Sequence, residues 1–165
     1  MLVANETIVK ELCHVKRSPG FDLESFLPYR LSVTTNRVSR AFAAQYEQEF
    51  GISIPEWRAI AVLGAFAPLS SNEICERTAM DKAKVSRAIA SLLKRGLIER
   101  EAHETDQRLI QLTLSKAGRK IYEAIIPRAR AIEAEVTKGL SKADIAALHR
   151  ALDRIGTQLD GIESD

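Results

Sequence analysis

The sequence contains only two cysteines and three histidines, and neither residue type is spaced as a disulfide or metal site requires. Cys13 and Cys75 lie far apart without a CxxC pair, which argues against a disulfide scaffold or a structural zinc site. His14, His103 and His149 lack HxxxH and HExxH spacing, so neither a metal site nor a cofactor is expected. The cysteine pattern instead indicates a reducing compartment, the cytoplasm.

Long apolar runs and catalytic signatures are also missing. No stretch approaches the roughly 18 apolar residues of a membrane span. The first residues lack a continuous apolar segment after a basic start, so neither a membrane anchor nor an export signal is expected. Glycine-rich phosphate loops are absent, and no nucleophile, base and orienting acid converge. We therefore predict that the protein is not an enzyme and has no catalytic residues.

The net charge of this chain says little about whether it binds nucleic acid. The formal charge is +2 for 165 residues, and the 45% apolar fraction is that of an ordinary globular protein with room for one core. A charge this small does not by itself indicate nucleic-acid binding. Any such signal has to come from the clustering of basic residues.

One basic cluster lies between Lys82 and Arg95, where 14 residues include five bases and no acid. Val85, Ile89 and Leu92 recur at helical spacing and form an apolar stripe, so this segment is predicted to be an amphipathic helix. The face opposite the stripe is predicted to carry Lys84, Arg87, Ser91 and Lys94. An exposed helix normally interleaves acids with bases, so the cluster favours an anionic partner.

The surrounding residues predict a helix-turn-helix. Asp81 is suited to cap the basic helix, and Gly96 is suited to end it. Upstream, Ser70 and Glu73 have the spacing of a capping box at the start of a short helix. The segments LIERE and RLIQLTL follow as predicted strands around a polar run, which adds a hairpin and makes the unit a winged helix-turn-helix.

The last helix carries the most regular apolar pattern in the chain. Its apolar residues are spaced alternately three and four apart: Ile145, Leu148, Leu152, Ile155, Leu159 and Ile162. A narrow apolar seam of this kind is typical of a helix that packs against a partner helix. We therefore predict a homodimer.

The wing region resembles a known family. The segment KRGLIER is followed by the pattern DxRxxxLTxxxxG, formed by Asp106, Arg108, Leu112, Thr113 and Gly118. Over about 26–159 the chain closely resembles the MarR family of dimeric bacterial transcription regulators. The resemblance implies that Arg108, oriented by Asp106, reaches the DNA minor groove.

The expected architecture is mainly α-helical with a small β-wing. The resemblance implies one domain, 1–165, with a mobile arm at 1–23, dimerisation helices at 24–50 and 115–162, and the winged helix-turn-helix at 55–113. The expected partner is double-stranded DNA with a pseudo-palindromic operator.

On the basic helix, Arg87 is suited to pair bidentately with guanine, whereas Lys94 and Arg95 at its far end are placed to meet only the DNA backbone. The DNA-binding candidates on this helix are Lys82, Lys84, Ser86, Arg87, Ser91, Lys94 and Arg95.

A ligand site is suggested by the same resemblance. Members of the family often bind an anionic aromatic compound beside the dimerisation helices, which by resemblance points to Tyr29, Arg30, Arg37, Arg40 and Trp57. The stretch FDLESFLPYRLSVTTNRVSRA is similar to regulators that respond to aromatic acyl-CoA thioesters such as hydroxycinnamoyl-CoA. A repressor released by such a compound is the function that the resemblance implies.

Two alternatives remain open at this point. Cys13 lies beside His14, and a neighbouring cation lowers the pKa of a thiol, so the regulator is alternatively a redox sensor. The second alternative is a dimeric interaction module that does not bind DNA, in which the basic face is only a solvated surface.

Overall fold

The computed structural model describes residues 20–102 and 110–162. The chain divides after Asn36 into two units, and the first of these is described from residue 20 onward. Within the described ranges the elements are α1 (Leu27–Phe50), α2 (Ile54–Phe66), α3 (Ser71–Thr78), α4 (Lys82–Lys94), β1 (Ile98–Ala102), β2 (Ile110–Leu114), α5 (Lys116–Val136) and α6 (Lys142–Ile162). This is the mainly α-helical architecture with a small β-wing that the sequence predicts.

The first unit contains a turn and the beginning of α1. The Asp22 carboxylate accepts the backbone N–H of Glu24 at 3.1 Å, and the backbone N–H of Phe26 donates to the carbonyl of Leu23 at 3.2 Å. These local bonds hold the chain in a turn, so α1 begins at Leu27 and not at Glu24 as expected. The expected arm at 1–23 lies mostly outside the described residues.

Local capping sets the boundaries of the helices in the second unit. The Ser70 hydroxyl accepts the N–H of Glu73 at 3.3 Å, and the Glu73 carboxylate accepts the N–H of Ser70 at 2.7 Å, which completes the predicted capping box. Asp81 accepts the N–H of Lys84 at 2.8 Å, and Ser115 accepts the N–H of Gly118 at 3.0 Å. The predicted starts of α3, α4 and α5 are therefore confirmed.

The core of the second unit lies between the helix-turn-helix, the hairpin and α2. The least exposed large side chains are Tyr46, Ile52, Ile60, Leu63, Ile74, Val85, Leu92, Ile98, Leu112 and Ile125. Leu112 of β2 also exchanges two backbone hydrogen bonds with Leu69, of 3.1 and 2.8 Å, so the α2–α3 connection is joined to the hairpin. The hairpin therefore rests on the core along β2.

The hairpin is antiparallel, with Ile98 paired to Leu114 and Ala102 paired to Ile110. Its two strands agree with the predicted strand segments. The connection at 103–109, which includes Asp106 and Arg108, lies outside the described residues.

Helix α2 extends past Gly64 and ends at Phe66. The ring of Tyr122, from α5, occupies the space that a Cβ on Gly64 would fill. Gly64 therefore permits a close helix–helix approach and α2 continues to Phe66.

The last helix is the least buried in the described part of the chain. None of its described residues is buried, and the predicted seam of α6 lies half-exposed along its length. No described helix is both long enough and apolar enough to cross a membrane.

Candidate nucleic-acid interface

Helix α4 separates apolar and polar side chains as the sequence predicts. Val85, Ala88, Ile89 and Leu92 are buried against the core. The side chains exposed on the other side are Lys82, Lys84, Ser86, Arg87 and Lys94. Burial of one face and exposure of the other leave a basic surface on the second helix of the helix-turn-helix.

The N-terminal end of α4 carries an ion pair that is part of its cap. Lys84 Nζ lies 2.8 Å from an Asp81 carboxylate oxygen, and the Asp81 side chain also accepts the Lys84 N–H. The hydrogen bonds from Lys84, and its charge, hold the pKa of Asp81 below its usual value. Lys82 and Arg87 form no hydrogen bond or ion pair with any described residue. These two cations are therefore left available on the exposed face.

Ser91 lies beside Lys84 and Arg87 but is turned partly toward α2, and its contact with DNA stays a prediction. Its side chain is half-buried, and its hydroxyl donates to Glu56 Oε1 at 2.6 Å. Helical spacing places Ser91 beside Arg87 and Lys94, but the buried acid on α2 binds the hydroxyl on the inner side. The structure therefore gives Ser91 an internal contact.

Arg95 is held by the chain itself. Its guanidinium donates to the carbonyls of Gly51 at 2.9 Å and Phe50 at 2.7 Å, and Nη1 lies 3.5 Å from Glu56 Oε1. Gly96 follows at φ +65°, so the predicted glycine ends the helix. Arg95 thus connects the end of α4 to the α1–α2 connection.

Glu56 is the functional candidate that the sequence analysis missed. Its side chain is nearly buried, with 7% of the residue exposed, and Oε2 accepts the Ser53 N–H at 2.8 Å and the Ser53 hydroxyl at 2.6 Å. Burial by itself raises the pKa of this carboxyl, but hydrogen bonds from Ser53 and Ser91 and the charge of Arg95 lower it overall. The Ser53–Glu56 spacing, a capping-box pattern, was the available sequence signal.

A second unpredicted residue lies beside the basic face. Arg100 of β1 lines a cleft of about 330 Å³ between α3 and α4, together with Ser71, Asn72, Lys82 and Ser86. This α3–α4 cleft contains two cations and no carboxylate among its lining residues. Its charge extends the basic surface of α4 toward the hairpin.

The remaining residues that line the α3–α4 cleft are Cys75, Val85, Ile89 and Ala90. Cys75 is a half-buried free thiol that packs against the core, as expected for an inner-face residue of α3. Cys13 lies outside the described residues, and the proposal of a redox role for it stays a prediction. The described residues hold no group of three or more side chains able to bind a metal ion.

The predicted ligand residues are divided between the two units. The Trp57 ring is half-buried between Tyr46 and Tyr122, at centroid distances of 5.6 and 6.3 Å. Arg37 and Arg40 are exposed on α1 in the second unit, whereas Tyr29 and Arg30 belong to the first unit. The Trp57 ring is thus already in contact with two aromatic rings of the chain.

A helix-turn-helix followed by an antiparallel hairpin defines the class of winged helix-turn-helix proteins. Residues 50–109 match a family model described as the MarR family. The HTH-type transcriptional regulator BilQ from Clostridium symbiosum (strain WAL-14163) is 28% identical over 109 residues, which are 66% of this chain and 76% of the relative.

Solved structures agree with this match. A MarR/EmrR family transcriptional regulator from Acinetobacter sp. ADP1 is 26% identical, with a TM-score of 0.79 over 86% of this chain and 99% of that chain. A MarR family regulator from Listeria monocytogenes, complexed with 26mer DNA, shares the fold at 19% identity, with a TM-score of 0.75 over 81% of this chain and 89% of that chain. Over 50–109 in sequence, and over most of the chain in fold, the protein is similar to MarR-family winged helix-turn-helix transcriptional regulators.

Proposed function

We propose that this protein is a homodimeric regulator that binds a pseudo-palindromic DNA operator through α4. The observation that carries the proposal is the basic outer face of α4 on the second helix of a helix-turn-helix, with its apolar face buried in the core. The second helix of such a unit is the one that enters the major groove. The DNA-bound Listeria relative supports the same use of the fold.

Within this interface the residues take different roles. Arg87 is exposed in the second turn of α4 and is free to pair with a guanine edge, and Lys82 and Ser86 lie on the same side. Lys84 lies at the N-terminal end of α4, where its ion pair with the capping residue Asp81 holds it near the proposed DNA surface. Lys94, at the other end of α4, is placed to meet only the DNA backbone. Arg108, oriented by Asp106, remains the predicted minor-groove contact.

Dimerisation would supply the two-fold symmetry of the operator. The seam of α6 is exposed in the single chain, with 43% of Leu152 and 51% of Leu159 accessible. A groove of about 290 Å³ between α1 and α5, lined by Val38, Phe42, Ile126 and Val136 among others, adds apolar surface. Apolar surface left open on several helices of one chain is what a second copy would cover.

Selection of duplexes from a randomised library tests the DNA-binding proposal. Arg87→Ala should weaken binding to the selected operator by about 1–3 kcal/mol and relax the base preference, since a bidentate contact to a base is lost. Lys94→Ala should weaken binding to all sequences alike and reduce the salt slope by about one. Lys142→Ala, an exposed lysine on α6, serves as the control.

A wild-type protein that selects no sequence and binds no DNA even at low salt would favour the interaction module without DNA binding. An Arg87→Ala protein with unchanged affinity and preference would remove the recognition role from α4.

We further propose that the regulator is a repressor released by an anionic aromatic compound, of which an aromatic acyl-CoA thioester such as hydroxycinnamoyl-CoA is one form. The exposed arginines on α1, Arg37 and Arg40 in the second unit and Arg30 in the first, support an anionic ligand. Because the Trp57 ring is packed between two tyrosines, the aryl group of the ligand would have to bind another apolar surface, or the packing around Trp57 would have to change.

Calorimetric titration with free aromatic acids and their CoA esters, combined with release of a fluorescent operator, tests the ligand. Ligand and operator must weaken each other by the same factor, typically between about 5 and 150. Arg37→Ala should lower ligand affinity, while Arg150→Ala on α6 should not. If no compound in either series both binds and releases operator, the arginines are surface residues and Cys13 becomes the next candidate sensor.

A further inference from the structure

We propose that Glu56 is a positioning residue that fixes the orientation of α4 for operator binding. The inference rests on the proposed DNA-binding function. Glu56 lies near the N-terminus of α2 and is nearly buried, while its two carboxylate oxygens bind groups from two separate segments of the chain, the start of α2 and the C-terminal end of α4. We name Glu56 and its partners Ser53, Ser91 and Arg95 the α2–α4 clamp.

The two oxygens of Glu56 have different partners. Oε2 accepts the N–H and the hydroxyl of Ser53, three residues away, and so completes the local start of α2. Oε1 accepts the Ser91 hydroxyl at 2.6 Å, which is a contact across 35 residues of sequence. A capping residue needs only the first set of contacts. The contact of Oε1 with Ser91 joins α2 to the C-terminal half of α4.

Arg95 extends the clamp to the end of α1. Besides its 3.5 Å approach to Glu56, the guanidinium binds the carbonyls of Phe50 and Gly51, which are the last residue of α1 and the residue after it. A planar guanidinium with several fixed donors is suited to hold a carboxylate and two carbonyls at once. The clamp therefore fastens the C-terminal half of α4 to the point where α1 gives way to α2.

The clamp lies directly behind the proposed DNA-binding side chains. Ser53, Glu56 and Ser91 line a cleft of about 450 Å³ whose other residues include Lys84 and Arg87. A rigid-body tilt of α4 away from α2 would move Arg87, because Arg87 and the clamp residue Ser91 lie on the same helix. Loss of one clamp contact should therefore lower operator affinity even though Glu56 itself offers DNA no positive charge.

Burial makes the clamp dependent on its full set of partners. A buried carboxylate that loses a hydrogen-bond donor keeps its desolvation cost, so the surrounding groups shift to restore a partner or admit water. Ser91→Ala is a mild change, since alanine is favourable in a helix interior and only one hydroxyl is removed. It leaves the basic face of α4 intact and interrupts the link between α2 and α4.

A double-mutant cycle on operator affinity tests the proposal. We expect Glu56→Gln and Ser91→Ala each to weaken binding to the selected operator by about 5- to 30-fold. The operator affinity of the double variant should be only slightly below that of the single variant that binds less tightly. Glu123→Gln, an exposed glutamate on α5, is the matched control. All affinities are measured at a temperature at which circular dichroism shows each variant fully folded.

Arg95→Lys separates the clamp from a phosphate contact. If Arg95 acts within the clamp, lysine cannot replace its three simultaneous contacts, and operator affinity falls while the salt slope stays that of the wild type. If Arg95 instead binds a phosphate, lysine preserves most of the affinity and Arg95→Ala reduces the slope by about one. The second result would overturn the assignment of Arg95.

The outcomes distinguish this inference from the proposed function. Additive losses in the Glu56 and Ser91 cycle, or wild-type affinity in both single variants, would overturn the clamp while Arg87→Ala still weakens binding. If the wild type binds no operator, the proposed function fails first. Should Glu56→Gln not fold, Ser91→Ala and Arg95→Lys decide alone: unchanged affinity in both would refute the clamp, and parallel losses at unchanged salt slope would support it.

Discussion

Replacing Leu152 and Leu159 of α6 by alanine is expected to raise the dissociation constant of the proposed homodimer by about three orders of magnitude. In the single chain, 43% of Leu152 and 51% of Leu159 remain exposed. Full burial of a leucine is worth about 1.5–3 kcal/mol, so each half-exposed side chain has about 1 kcal/mol to contribute to an interface. A two-fold dimer contains each leucine twice, which gives about 4 kcal/mol in all, and each 1.4 kcal/mol is about a factor of ten.

Sedimentation equilibrium over a concentration series measures this constant. Arg150→Ala, on the opposite side of α6 from the seam, should leave it unchanged. Glutamate at both leucine positions should abolish the dimer, since charge would then be buried at the interface. A wild-type protein that is monomeric at micromolar concentration, or a double-alanine variant with the wild-type constant, would refute the reasoning.

Three further predictions concern other parts of the molecule. The net lowering of the Glu56 pKa places its folded value below the ordinary 4.5, so its contribution to the free energy of unfolding is full above that pH and is lost as the pH falls through the folded pKa. Urea unfolding between about pH 3 and 7 should show this loss in the wild type and not in Glu56→Gln. Gly118→Ala should destabilise the fold by about 1–3 kcal/mol in urea unfolding, because a Cβ there would collide with the Leu97 carbonyl; an unchanged midpoint would contradict the packing. Arg108→Ala should weaken operators with A-tracts at the wing positions more than those with G·C pairs, and equal losses would mean that Arg108 meets only phosphate.

The parts of the fold that the sequence predicted depend on neighbouring residues. Asp81, Ser70 and Ser115 cap their helices through N–H groups three residues away, so the pattern in a few letters was sufficient. The basic and buried faces of α4 follow from its helical period. The basic surface that we propose to bind DNA was therefore largely predictable from the sequence.

The parts that were missed depend on residues far apart in the chain. The hydrogen bond from Ser91 to Glu56 was not predicted, because nothing within one turn of α4 indicates that an acid on α2 would bind this hydroxyl. In the same way, no residue near Gly64 in the sequence indicates that a tyrosine of α5 packs against it. Such contacts are set by the approach of whole helices, which local periodicity does not specify.

The aromatic packing around Trp57 gives the protein an internal optical reporter. Trp57 is the only tryptophan of the chain, and its ring lies between Tyr46 of α1 and Tyr122 of α5. Its emission should respond to any change in how these three helices pack, whereas DNA bases at the outer face of α4 are not in contact with it. A fluorescence change on operator binding would therefore record a rearrangement inside the protein, and its time course would give the rate of that rearrangement without any added label.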